Sequence, residues 1–187
     1  MLKNSKTEYG SVTKFFHWTI GVLILGMLAV GAYMADYAPK DLKGILYMNH
    51  KAVGVIVLML VLARILWKFQ NQTPAYPESM PGWQKKSAIG LHHVLYIIMF
   101  LMPLSGYVMS VAGGHSINMW GWQVPDLISP NKPLAGLAHE AHETIAAIFY
   151  VVLPIHIGAA LYHYFIQKDN ILQRMLPRRK QCCGCSH

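Results

Sequence analysis

The sequence predicts an all-α integral membrane protein, a four-helix bundle of up-down topology with both termini on the cytoplasmic side. Three observations carry that expectation. Only 13% of the 187 residues are charged, 54% are hydrophobic, and the mean hydropathy is +0.32; a soluble domain carries about 25% charged residues. Four apolar windows, roughly residues 12–34, 46–67, 88–111 and 144–166, each supply the roughly 20 residues needed to cross about 30 Å of hydrocarbon. The basic residues are also unevenly shared among the connections.

The first window follows Lys3 and Lys6, the pattern of a signal peptide, but its apolar run is longer than a signal core. Cleavage would remove His17 and set the new N-terminus opposite the basic tail, so the helix is kept. The second window ends at Arg64 and Lys68, which read first as snorkelling to headgroups and second as reaching the propionates of a cofactor held in the bundle. The second connection, 70–86, holds Pro74, Pro77 and Pro81 and reads as an extended loop. Pro103 and Pro154 fall within the third and fourth helices, where neighbours re-satisfy the freed backbone groups. Pro154 reads first as a packing kink and second as a device aiming His156. The third connection, 112–137, is broken by Gly113, Gly114, Pro125, Pro130 and Pro133. Its Trp120 and Trp122 suit the outer headgroup level, where the loop would cap a site beneath it. Together the four helices form one domain, followed by a basic cytoplasmic tail, 168–187.

The formal charge is +8, yet it follows topology. The N-terminal end, the second connection and the tail hold twelve of the sixteen basic residues. The first and third connections hold Lys40, Lys43, Lys51 and Lys132, beside Asp36, Asp41, Asp126, Glu140 and Glu143. An even helix count with this bias puts both termini inside, and no basic face is left over for nucleic acid. Cys182, Cys183 and Cys185 stay reduced on that side. Their cluster reads first as a polar tail, then as a lipidation or metal site.

Of ten histidines, His17, His50, His142 and His156 fall inside the apolar stretches. Ionisable side chains at bilayer depth are costly and mark function by default. His142 and His156 share one helix face, roughly 21 Å apart along the axis at about 1.5 Å per residue. Matching depths pairs His17 with His156 and His50 with His142, each pair drawn from two helices. Haem, held by imidazole on its iron, is the cofactor that fits. The residues four positions on are Gly21, Gly54, Ala146 and Ala160, small enough to admit a macrocycle beside the helix. His92 and His93 read as interfacial polar residues, and His139 and His163 as spare candidates at the interfaces. His115 belongs to the outer loop and His187 to the tail.

The chain resembles the bacterial cytochrome b561 family of dihaem membrane proteins. The resemblance runs from Phe16-His17-Trp18 through Met48-Asn49-His50 and His142-Glu143-Thr144 to His163-Tyr164-Phe165-Ile166-Gln167-Lys168-Asp169-Asn170. It implies a bundle enclosing two b-type haems with His17, His50, His142 and His156 as axial ligands. It further implies an inner-membrane electron carrier of the superoxide:ubiquinone oxidoreductase type. The cysteine tail and Pro154 depart from the family pattern without touching a ligand. The expected partners are the lipid bilayer, a small donor such as superoxide, ubiquinone as acceptor, and a second copy of the chain through Gly21, Gly26 and Gly31. An alternative is the haem-bearing membrane anchor of a larger respiratory dehydrogenase or hydrogenase. A histidine-relay metal transporter is disfavoured by the scarcity of membrane carboxylates.

Overall fold

The computed structural model describes residues 1–177; the cysteine cluster and His187 lie outside the described residues. The fold is all-helical, with four helices long and apolar enough to cross a membrane. Helix α1 spans Ser11–Asp36, α2 Lys40–Phe69, α3 Gly82–Ala112 and α4 Lys132–Tyr162. A two-stranded hairpin, β1 (Asn118–Met119) with β2 (Trp122–Gln123), lies between α3 and α4. A π-helical turn, His163–Gln167, extends α4, and the short α5 (Ile171–Met175) follows. Helix α1 packs along α2, α2 along α3, and α3 along α4. The Tyr150 hydroxyl donates to the Leu28 carbonyl at 3.1 Å and ties α4 back to α1.

The helices outrun the apolar windows, because a window marks depth in hydrocarbon and not where the backbone stops winding. Helix α2 begins at Lys40 rather than 46, and α3 at Gly82 rather than 88. The largest correction is α4, which begins at Lys132 rather than 144. Asn131 caps it, its side chain accepting from Leu134 N at 3.0 Å. Pro133 therefore sits in the first turn, where its missing N–H costs nothing, and starts the helix instead of breaking the loop. At the other end Lys168 adopts a left-handed conformation, φ 53°, and stops the π turn. Asp169 locks that stop, accepting from His163 Nδ1 at 2.6 Å and from Ile171 N at 3.0 Å.

All four helices feed one apolar core: Ile20, Ile24 and Leu28 from α1, Val57 and Val61 from α2, Leu95, Ile98 and Met99 from α3, Ile145 and Phe149 from α4. Along each helix this core is flanked by polar groups, His17 on α1, His50 and Arg64 on α2, His92 on α3, and His142 and His156 on α4. Outward, Val22, Leu25, Ile97, Val151 and Ile155 are exposed, a surface that only lipid solvates well.

Both ends of the described chain meet at one end of the bundle, the terminal end; the hairpin marks the other. Trp18 Nε1 donates to the Met175 carbonyl at 2.9 Å, and Lys14 Nζ to the Leu176 carbonyl at 2.7 Å. Asn4 organises the N-terminal segment. Its Oδ1 accepts from Gly10 N at 2.9 Å and Thr13 Oγ1 at 2.7 Å, and its Nδ2 donates to the Gln72 carbonyl at 2.9 Å. Gly10 is needed there, because a Cβ would collide with the Leu2 carbonyl. Replacing Asn4 by Ala removes these bonds at a cost of about 1–3 kcal/mol. Hydrogen exchange is expected to speed up at Gly10 and to stay unchanged in the buried middle of the helices.

Candidate functional site

At the hairpin end, the rings of His50 on α2 and His142 on α4 face each other with centres 6.5 Å apart. They border an apolar cavity lined also by Met27, Gly54, Met99, Gly106 and Ile117. His142 is held from α3. Its Nδ1 lies 2.9 Å from the Met102 carbonyl and 3.1 Å from Ser105 Oγ, and Ser105 itself donates to the same carbonyl at 2.8 Å. A carbonyl can only accept, so Nδ1 carries the proton and Nε2 presents its lone pair. Metal-binding imidazoles are characteristically oriented in this way. Gly106 makes the approach possible: a Cβ there would stand 3.1 Å from His142 Cε1. A Cβ at Gly31 would stand 3.5 Å from His50 Cε1, so Gly31 packs against that ring within the bundle. His50 Nδ1 is buried with no hydrogen-bond partner among the described residues.

The third connection closes this end. Ile117 is 2% exposed and forms part of the cavity wall. The Trp120 indole donates to Asn49 Oδ1 at 2.9 Å, latching the hairpin to the residue before His50. Trp120 (φ 50°) and Gly121 (φ 105°) both have positive φ, as a tight hairpin turn of this hand requires. Tyr107 anchors the return strand, donating to the Pro125 carbonyl at 2.8 Å and accepting from Leu127 N at 3.0 Å.

At the terminal end, the rings of His17 on α1 and His156 on α4 have centres 6.1 Å apart. His92, set aside on sequence grounds, joins them: its ring centre is 5.4 Å from that of His156. Adjacent histidines point about 100° apart on a helix. Whatever the rotation of α3, one of His92 and His93 therefore had a chance to face inward, and that was the available signal. Both rings are tethered to their own helix, through Ala88 O at 2.6 Å and Ile89 O at 2.8 Å. Arg64 does not snorkel. Its Nη2 lies 3.4 Å from His17 Nδ1, and its guanidinium stands 5.3 Å from the centre of the Tyr96 ring. The Lys68 ammonium covers the same ring at 4.2 Å.

The remaining candidates lie elsewhere. His163 is buried and bonded to Asp169, and His139 pairs with Glu143 at 3.3 Å on the surface. Of the four small residues, Gly54 lines the hairpin-end cavity, while a Cβ at Gly21 would meet nothing within 4 Å. Just outside the spans, burial pushes the phenols of Tyr9 and Tyr76 up from their ordinary value, with Tyr76 adding to the effect at Tyr9.

Two imidazoles gripping one metal ion from opposite sides, each at about 2 Å, bring their ring centres to roughly 6 Å. Both pairs meet that requirement. Half-buried, opposed imidazoles, at the hairpin end bordering an apolar cavity, suit a porphyrin iron better than a bare cation, and among the described residues there is no cluster of three or more metal-ligating side chains that would cage one. The fold is that of a four-helix membrane protein carrying two pairs of opposed imidazoles. The chain belongs to the prokaryotic cytochrome b561 family, whose pattern matches residues 8–178. It is 34% identical over 182 residues to "Cytochrome b561 homolog 1" of Escherichia coli (strain K12), covering 96% of this chain and 100% of that relative. It is 31% identical over 185 residues to "Cytochrome b561 homolog 2" of the same strain, covering 97% of each. To "Probable superoxide oxidase CybB" of Yersinia pestis it is 29% identical over 175 residues, 92% of this chain and 98% of that protein.

Gly106→Val is expected to drive the His142 ring off its Met102 carbonyl and to lower the haem content per protein by pyridine haemochrome assay. Gly26→Val, at a position where a Cβ meets nothing within 4 Å, is the control and should leave it unchanged.

Proposed function

We propose that His17 with His156 and His50 with His142 are the axial ligands of two b haems, and that the protein carries electrons across the bacterial inner membrane. The carrying observation is the pair of opposed imidazole couples at 6.1 Å and 6.5 Å, built on one continuous α4. The hairpin end faces outward and the terminal end the cytoplasm, in line with the positive-inside bias. Bound haem b supplies one-electron, outer-sphere transfer, the protein setting orientation and potential.

The residues of this chain do the rest. Two imidazoles on one haem would leave no position where a small molecule could coordinate. The Met102 carbonyl and Ser105 fix His142 in the tautomer that presents Nε2. Lys51 lines the hairpin-end cavity, and Lys40 and Lys43 begin α2 at the same end. These cations favour an anionic donor, with Asp36, Asp41 and Glu140 moderating the field. Superoxide is the donor we favour, since one relative bears the name of a superoxide oxidase. Ubiquinone, reached from the lipid, is the acceptor.

The purified protein is expected to hold two haems and to reduce ubiquinone when mixed rapidly with superoxide. His142→Ala and His156→Ala should each remove one haem; retention of both would refute the ligand assignment. A protein that holds both haems yet reduces quinone only with a bound iron–sulfur partner would instead be an anchoring subunit.

A further inference from the structure

The terminal-end site holds two cations close together on α2. Arg64 and Lys68, one helical turn apart on α2, both lie against the ring of Tyr96. Among the described residues the ion pairs are His139–Glu143 and His163–Asp169, and neither involves a lysine or an arginine. The nearby phenol of Tyr9 is no substitute, because burial holds it above the ordinary tyrosine value and therefore neutral. Two like charges placed against one aromatic ring repel each other.

The contact between Arg64 and His17 is informative in the same way. A guanidinium nitrogen can only donate. At 3.4 Å, His17 Nδ1 must therefore be the acceptor, which leaves the proton on Nε2. Coordination of a metal through Nε2 reverses that tautomer, and Nδ1–H and Nη2–H then confront each other as two donors. An acceptor has to come between them, or Arg64 has to turn to an acceptor of its own.

We propose that Arg64 and Lys68 receive the two carboxylate side chains of the haem at the terminal end, with the Arg64 guanidinium turned from His17 to one of those carboxylates. This rests on the ligation proposed above. Haem b carries two carboxylates, matching the two cations. A guanidinium binds a carboxylate through a rigid fork, while lysine acts as a mobile point charge at the rim. Both are positioning residues, and their charge also favours the reduced iron beside them.

The test uses reconstitution of the haem-depleted full-length protein in detergent with haem b and with its dimethyl ester, which lacks both charges. In the wild type, haem b should bind at the terminal-end site roughly ten- to a hundredfold tighter than the ester, the range for hydrogen bonds to charged groups. Arg64→Gln together with Lys68→Gln should abolish that preference, whereas Arg64→Lys should keep part of it. In a redox titration the double variant should lower the midpoint of the terminal-end haem and leave that of the hairpin-end haem in place. Lys68→Gln alone, at the exposed rim, gives a smaller shift in the same direction if the double variant does not fold. An undiminished ester preference in the variants, with both midpoints unmoved, would overturn the proposal. Failure of the ligation itself shows separately, as His17→Ala retaining both haems.

Discussion

A neutral imidazole brings one donor and one acceptor into the bundle, and hydrocarbon can satisfy neither. That constraint organises the structure. For His142 and His17 a neighbouring helix supplies the polar partner, while His50 Nδ1 is left without one among the described residues. Helix α3 does this for His142 with a carbonyl, a serine and a glycine within five residues, Met102 to Gly106. Helix α2 does it for His17 with a guanidinium. The apolar core between the two layers, centred on Phe149 at 1% exposure, keeps them apart.

Depth was legible in the sequence, and rotation was not. Hydropathy and the fourteen-residue spacing of His142 and His156 suffice to place each imidazole along the membrane normal. Which side chains share a helix's inward face depends on packing, which a depth argument does not contain. Hence His92 and Arg64 were assigned to the interface although both turn inward. The start of α4 was lost for another reason. Its first three turns are too polar to register as a span, and their evidence is local, an Asn131 cap with Pro133 in the first turn. The small-residue rule located Gly54 correctly but missed Gly106, because the glycine that admits His142 lies on the facing helix rather than on its own.

The two ends of the bundle are built from different materials. At the hairpin end the polar partners of the ring are neutral backbone and hydroxyl groups, and the third connection folds over the site through Ile117 and the Trp120–Asn49 latch. At the terminal end the partners are cations, and three imidazoles from α1, α3 and α4 converge. The chain's own ends gather there, with α5 and the N-terminal segment pinned by Trp18 and Lys14.

On the proposed function, this asymmetry would give electron flow a direction. On the proposed ligation, an imidazole donating its Nδ1 proton to a carbonyl becomes a stronger electron donor to its metal, which favours the oxidised iron at the hairpin end. At the terminal end Arg64 and Lys68 would offset the charge of the haem carboxylates they receive, which favours the reduced iron there. The two effects act on different sites and have the same sense. On the proposed function, an electron entering beneath the hairpin would be drawn toward the end where α2 carries its cations.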